Sequence, residues 1–125
     1  MPATTVEVQV PNSLLLVMDP VHGVIPESMA GGLVATTDSC LAVGTLSEAD
    51  GPTTLEVVDV GEFPGVAEGS WVAWEGSLVT SSGQLAVMDV LGQVLASRNV
   101  GADVIVRLVV NDASEPDRIS VVVGP

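Results

Sequence analysis

Carboxylates are the most abundant side chains in this sequence that could do chemistry, and several of them lie between the apolar segments in the middle of the chain. The 125 residues hold 16 Asp and Glu against three Arg, which gives a formal net charge of −13. The carboxylates in or beside the predicted central loops are Glu48, Asp50, Glu62, Glu68 and Glu75. If these loops lie at one end of the fold, they form an acidic rim that attracts basic surfaces and repels nucleic acid and anionic membranes.

Two tryptophans, Trp71 and Trp74, lie beside this acidic segment. On a regular strand, residues three apart point to opposite faces, so one is predicted to pack in the core and the other to be exposed. An exposed tryptophan is a typical anchor of a protein interface, although packing of both at the core or its rim is the alternative. The predicted partner-binding residues are therefore Glu48, Asp50, Glu62, Trp71, Trp74 and Glu75.

The single histidine and single cysteine limit the catalytic chemistry open to the chain. His22 follows Asp19 by three residues and could serve as a general base or a metal ligand, but metal sites usually need more His or Cys. Cys40 would need His22 to activate it, and its place at the start of an apolar segment favours a buried thiol. We therefore predict a non-enzymatic protein with no catalytic residue, no metal and no cofactor.

A second acidic loop, residues 111–117, contains Asp112, Ser114, Glu115 and Asp117. Oxygen ligands at this spacing can bind Ca²⁺, but the loop lacks the glycine and the terminal glutamate of an EF-hand. We interpret it as a solvated hairpin loop. No phosphate-binding glycine loop and no nucleophile elbow is present in the sequence.

The elements that must position these residues have the pattern of short strands. Apolar and polar residues alternate over 4–10, 102–110 and 118–123, and short apolar runs occur between clusters of Gly, Pro, Asp and Ser. Residues 40–60 are predicted to form a β-hairpin turning at Asp50-Gly51-Pro52, whereas 91–101 is predicted to be irregular. About eight short strands without a long amphipathic helix predict an all-β fold, an antiparallel β-sandwich of Greek-key or jelly-roll type, as a single domain over 1–125.

The composition indicates what kind of core the protein has and where in the cell it is located. With 47% hydrophobic but only 2% aromatic residues, the core is predicted to be aliphatic. The mean hydropathy of +0.55 is high for a soluble monomer, which leaves open a homodimer that covers surplus apolar strand faces. The first residues lack the basic and apolar regions of a secretion signal, and one cysteine allows no intrachain disulfide, so we expect a cytoplasmic protein.

The apolar segments follow one another in a definite order. Residues 14–19 are Leu-Leu-Leu-Val-Met-Asp, 42–46 are Ala-Val-Gly-Thr-Leu and 54–57 are Thr-Leu-Glu-Val; then 83–87 are Gly-Gln-Leu-Ala-Val, 101–106 are Gly-Ala-Asp-Val-Ile-Val and 117–121 are Asp-Arg-Ile-Ser-Val. In this order the sequence resembles the competence protein J family, which includes a bacterial DNA-entry nuclease inhibitor. The resemblance spans most of the chain and implies a small acidic β-protein that binds and blocks a nuclease.

The function predicted from the sequence is that of an acidic binding protein, a nuclease inhibitor or immunity-type protein that docks on the basic face of a nuclease or toxin. Its carboxylates would stand where the nuclease expects phosphate. Two alternatives stay open: an oligomeric structural or small-ligand-binding β-sandwich, and an acidity that reflects only solubility or genomic base composition.

Overall fold

The computed structural model describes residues 3–124 and contains, within that range, ten β-strands and three short 3₁₀ turns. The strands are β1 (Thr4–Val8), β2 (Leu14–Met18), β3 (Val34–Thr36), β4 (Cys40–Gly44), β5 (Thr53–Asp59), β6 (Trp71–Val79), β7 (Gln84–Asp89), β8 (Val94–Asn99), β9 (Asp103–Val110) and β10 (Arg118–Val123). The 3₁₀ turns span Pro11–Ser13, Glu48–Asp50 and Val60–Glu62. Among the described residues, no helix is long and apolar enough to cross a membrane.

The strands form two five-stranded sheets. Sheet 1 has the order β1-β5-β10-β9-β6 and sheet 2 the order β3-β4-β2-β7-β8. All neighbouring strands are antiparallel except β5 and β10, which run parallel. The predicted all-β sandwich is therefore confirmed, with ten strands in place of the predicted eight.

The core lies between the sheets and is aliphatic, as the composition predicts. Alternate residues of each strand point to this space, because successive side chains of a strand point to opposite faces. Leu15 and Leu41 of sheet 2 are fully buried there with Leu55, Leu108 and Ile119 of sheet 1.

The chain's own loops cover apolar residues on the outer faces of both sheets. Val58, Val109 and Val122 form a cluster on sheet 1 against which Phe63 packs. Leu16, Met18, Cys40 and Ala42 form a second cluster on sheet 2 against which Met29 packs. These loops bury part of the apolar surface on the outer strand faces, and a homodimer stays a prediction.

Two predictions about local structure are wrong. Residues 40–60 are not a hairpin, because β4 belongs to sheet 2 and β5 to sheet 1, so the turn after Asp50 carries the chain between the sheets. Residues 94–99 are not irregular but form β8, which pairs with β7. A shift of register between Val87 and Met88 accompanies that pairing, and such a bulge disturbs the alternation by which strands are recognised.

Candidate functional site: an acidic end of the sandwich

Two acidic loops meet at one end of the sandwich. Strands β5 and β10 run parallel with Arg118 beside Thr54, so the loops that precede them, 47–51 and 111–117, lie at the same end of sheet 1. We call these two loops the acidic end. Its exposed carboxylates are Glu48, Asp50, Asp112, Glu115 and Asp117.

Backbone hydrogen bonds fix the two loops to each other and to the sheet. The amide of Leu46 donates to the carbonyl of Pro116 at 3.0 Å, and the amide of Thr54 donates to the carbonyl of Asp117 at 2.7 Å. Within the first loop, the amide of Asp50 donates to the carbonyl of Ser47 at 2.9 Å. The carboxylates are therefore carried on a constrained backbone, which lowers the entropy lost when a partner binds them.

Loop 111–117 also holds its own shape through side-chain hydrogen bonds. Asp112 Oδ1 accepts from the amides of Glu115 at 2.8 Å and Ser114 at 2.9 Å, and Asn111 Nδ2 donates to Asp117 Oδ1 at 2.7 Å. The amides of Glu115 and Ser114 hold the pKa of Asp112 below its ordinary value, so this carboxylate stays charged. The interpretation of this loop from the sequence did not predict that it lies against residues 47–51.

The carboxylates of the acidic end are spread out. Within residues 3–124, no group of three or more His, Cys, Asp and Glu side chains is placed to hold a metal ion. Dispersed carboxylates form a negative surface that can pair with several cations at once. The basic face of a protein supplies cations in that arrangement.

Trp71 stands beside the acidic end and Trp74 packs below it. Trp71 pairs with Val110 at the end of β9 and is 42% exposed, whereas Trp74 pairs with Leu108 and packs against the core. A bulge at Ala73 puts both tryptophans on the core-facing side of β6, so the prediction that they point to opposite faces is wrong. Trp71 is exposed at the first position of β6, which is an edge strand of sheet 1.

The other predicted acidic residues lie elsewhere. Glu62 ends the 3₁₀ turn after β5, so it is separated from Glu48 and Asp50 by the length of that strand, about 20 Å for seven residues. Glu75 lies within β6, where its Oε2 accepts from Arg107 Nη2 at 3.0 Å and Nε at 3.2 Å. The single acidic rim predicted from the sequence is therefore wrong for Glu62 and Glu75.

A shallow groove on the outer face of sheet 1 leads away from the acidic end. It consists of two adjoining depressions of about 170 Å³ and 180 Å³ that share Glu56, Arg118 and Ser120. Phe63 and the segment after it form one wall. Arg118, directly after the acidic loop 111–117, thus connects the acidic end with the groove.

The residues considered for catalysis are not arranged for it. Asp19 is buried and accepts hydrogen bonds from the backbone amides of Val21, His22 and Ser82 and from the Ser82 hydroxyl, at 2.8–2.9 Å. It contacts the backbone of His22, and no hydrogen bond within residues 3–124 involves the imidazole. Burial alone raises the pKa of Asp19, but these four hydrogen bonds outweigh it and hold that pKa well below its ordinary value. Asp19 is an anchor for the loop that follows it.

Cys40 is fully buried on the outer face of sheet 2. Desolvation by burial raises the pKa of its thiol to about 12, so the nucleophilic thiolate is suppressed. This placement agrees with the interpretation of Cys40 as a core residue.

The fold places the chain among two-sheet, all-β sandwiches. No family model matches the sequence, and neither does any curated protein. Among solved structures, the chain is similar to the crystal structure of ComJ, inhibitor of the DNA degrading activity of NucA, from Bacillus subtilis. The match has a TM-score of 0.61 at 9% sequence identity and covers 97% of this chain and 94% of ComJ. The resemblance noted in the sequence is confirmed as a shared fold.

Proposed function

We propose that this protein is an inhibitor that binds a DNA-degrading nuclease through its acidic end. The observation that carries the proposal is the meeting of two hydrogen-bonded acidic loops, 47–51 and 111–117, beside the exposed Trp71. A nuclease binds the phosphates of DNA with basic side chains, and an inhibitor can occupy the same side chains with carboxylates.

The physical features of the acidic end suit this task. Its five exposed carboxylates lie on loops whose backbone is held by hydrogen bonds, so little backbone entropy remains to be lost on docking. The net charge of −13 speeds encounter with a basic surface at low salt. The carboxylates of the acidic end provide no large apolar contact, and the exposed ring of Trp71 supplies one, as an interface anchor does.

The fold gives independent support. The chain shares its fold with ComJ, which inhibits the DNA-degrading activity of NucA, over nearly the full length of both chains. The predicted partner is accordingly a nuclease of that kind, and the interface is proposed to be the acidic end together with Trp71.

Inhibition of NucA-catalysed DNA degradation by the purified protein tests the proposal. The triple variant Glu48→Gln, Asp50→Asn, Glu115→Gln removes three carboxylates of the acidic end for which no side-chain hydrogen bond exists within residues 3–124. We expect its Kd for the nuclease to rise at least tenfold and to depend less steeply on salt, because fewer charge pairs form in the complex.

A matched control separates local docking from overall charge. The triple variant Asp38→Asn, Glu62→Gln, Asp103→Asn removes the same charge at exposed positions toward the opposite end of the sandwich. We expect this variant to bind with less than a threefold change in Kd. Equal losses in the two variants would show that only net charge matters, and failure of the unaltered protein to bind or inhibit the nuclease would refute the proposed function.

A further inference from the structure

The three arginines of this acidic chain have different surroundings. Arg98 is buried between the sheets, where it donates to the carbonyl of Val57 at 2.8 Å and to Thr4 Oγ1 at 3.0 Å. Arg107 is paired with Glu75 on the face of sheet 1. Arg118 is exposed, and within residues 3–124 its guanidinium takes part in no hydrogen bond or ion pair.

Arg118 stands at the margin of the acidic end. It follows Asp117, begins β10 beside Thr54, and lines both depressions of the groove. Glu56 lies in the same groove, but its Oε1 accepts from the Ser120 hydroxyl at 3.2 Å and it forms no ion pair with Arg118. The guanidinium is therefore available to a group that enters the groove from outside.

The positive charge of Arg118 weakens binding to a partner whose docking surface is uniformly basic. The five carboxylates attract such a partner, while Arg118 repels any lysine or arginine brought next to it. The negative carboxylates and the positive Arg118 together are complementary only to a basic surface that carries an acidic group opposite Arg118. The planar guanidinium can bind both oxygens of a carboxylate, and a partner docked over the groove would partly shield that contact from water.

We propose that Arg118 determines specificity by binding an Asp or Glu side chain of the partner, at the border of the partner's basic face. This inference rests on the proposed function and adds to it a position of opposite charge. It selects, among basic nucleases, those with a carboxylate at the matching place, and it fixes how the two proteins are oriented.

The sign of the effect of one substitution tests the inference. Arg118→Gln makes the protein more negative, so long-range attraction alone predicts equal or faster association with NucA. A contact with a partner carboxylate predicts a five- to tenfold higher Kd, seen mainly as faster dissociation, because a partly shielded charge pair is lost. Arg107→Gln is the matched control, since it also removes one positive charge from the outer face of sheet 1.

The measurement is surface plasmon resonance with immobilised NucA, with circular dichroism to confirm that each variant is folded. Weaker binding by Arg118→Gln, unchanged or faster association by Arg107→Gln, and partial recovery by Arg118→Lys support the inference. Tight binding by Arg118→Gln, or equal behaviour of the two Gln variants, overturns the inference and leaves the proposed function standing. Absence of binding by the unaltered protein overturns both.

Discussion

The indole ring of Trp74 lies against the α-carbon of Gly76, two residues further along β6. A β-carbon added at Gly76 would lie 2.6 Å from Trp74 Cζ2 and 2.8 Å from Cη2, distances that atoms in van der Waals contact do not reach. The glycine is required by this close approach of the ring. The contact helps to hold Trp74 against the core while Trp71, three residues earlier, remains exposed.

We expect Gly76→Ala to displace the indole ring of Trp74. Overpacking of this kind lowers the free energy of unfolding by about 1–3 kcal/mol, partly offset by the smaller backbone entropy of alanine in the unfolded chain. Urea denaturation followed by tryptophan fluorescence measures both effects, because a displaced Trp74 changes the emission of the folded state.

Gly61→Ala is the matched control. A β-carbon there meets no atom within 4 Å, so the same substitution should change the free energy of unfolding by less than about 0.5 kcal/mol. Unaltered stability and emission in Gly76→Ala would show that the ring can move away without cost.

The strands that could be predicted from the sequence are those in which the pattern of alternation is unbroken. Residues 102–110 and 118–123 were recognised in this way and correspond to β9 and β10. Strand β8 could not be recognised, since it bulges at Leu95 where it pairs with β7 and since Arg98, a charged residue, takes a buried position in it. The guanidinium is tolerated there because backbone and hydroxyl oxygens of sheet 1 accept its hydrogen bonds.

Only one of the two loops of the acidic end could be predicted from the sequence as part of a binding surface. The carboxylates of 47–51 are evident in the sequence, but their neighbours in 111–117 are brought to them by the parallel pairing of β5 and β10, which lie about 60 residues apart in the chain. No local spacing encodes that pairing. The bulge at Ala73, which sets the directions of both tryptophans, is likewise a consequence of pairing with β9.

Asp19 should be a principal source of acid sensitivity. Its carboxylate accepts four hydrogen bonds in a buried site, two of them from Ser82 in the turn that carries the chain from β6 of sheet 1 to β7 of sheet 2. We expect Asp19→Asn to lower the free energy of unfolding by about 2–4 kcal/mol at neutral pH, because the amide presents a donor where the site supplies donors. Chemical denaturation as a function of pH measures this loss.

The pH dependence has a defined sign. The pKa of Asp19 is lower in the folded protein than in the unfolded chain, so its contribution is complete well above pH 4 and is lost as the pH falls through the folded pKa. The difference between the unaltered protein and Asp19→Asn should therefore shrink below about pH 4. Asp38→Asn, at an exposed position, should change the stability by less than about 0.5 kcal/mol at any pH.

The thiol of Cys40 should be unreactive in the folded protein. It is fully buried and its pKa is raised to about 12, so both access and thiolate are lacking. We expect modification by a disulfide reagent such as DTNB at pH 8 to be at least about a thousandfold slower in buffer than in 6 M guanidinium chloride.

The same reaction reports on the loop that covers sheet 2. Met29 of that loop packs on the cluster that contains Cys40, and Asp19 anchors the start of the loop. Asp19→Asn should therefore accelerate modification of Cys40, whereas Asp38→Asn should not. Rapid modification of the unaltered protein would contradict the burial of Cys40.

The two tryptophans should separate binding from stability. Trp74 packs against the core, so Trp74→Ala is expected to lower the free energy of unfolding by about 2–4 kcal/mol. Trp71 is 42% exposed beside the acidic end, so Trp71→Ala should cost less than about 1 kcal/mol in stability yet raise the Kd for NucA at least tenfold, as loss of an interface anchor does. Val79→Ala, which truncates a residue that is 47% exposed at the opposite end of β6, is the control for the loss of an exposed apolar side chain. Binding by Trp71→Ala as tight as that of Val79→Ala would exclude Trp71 from the interface.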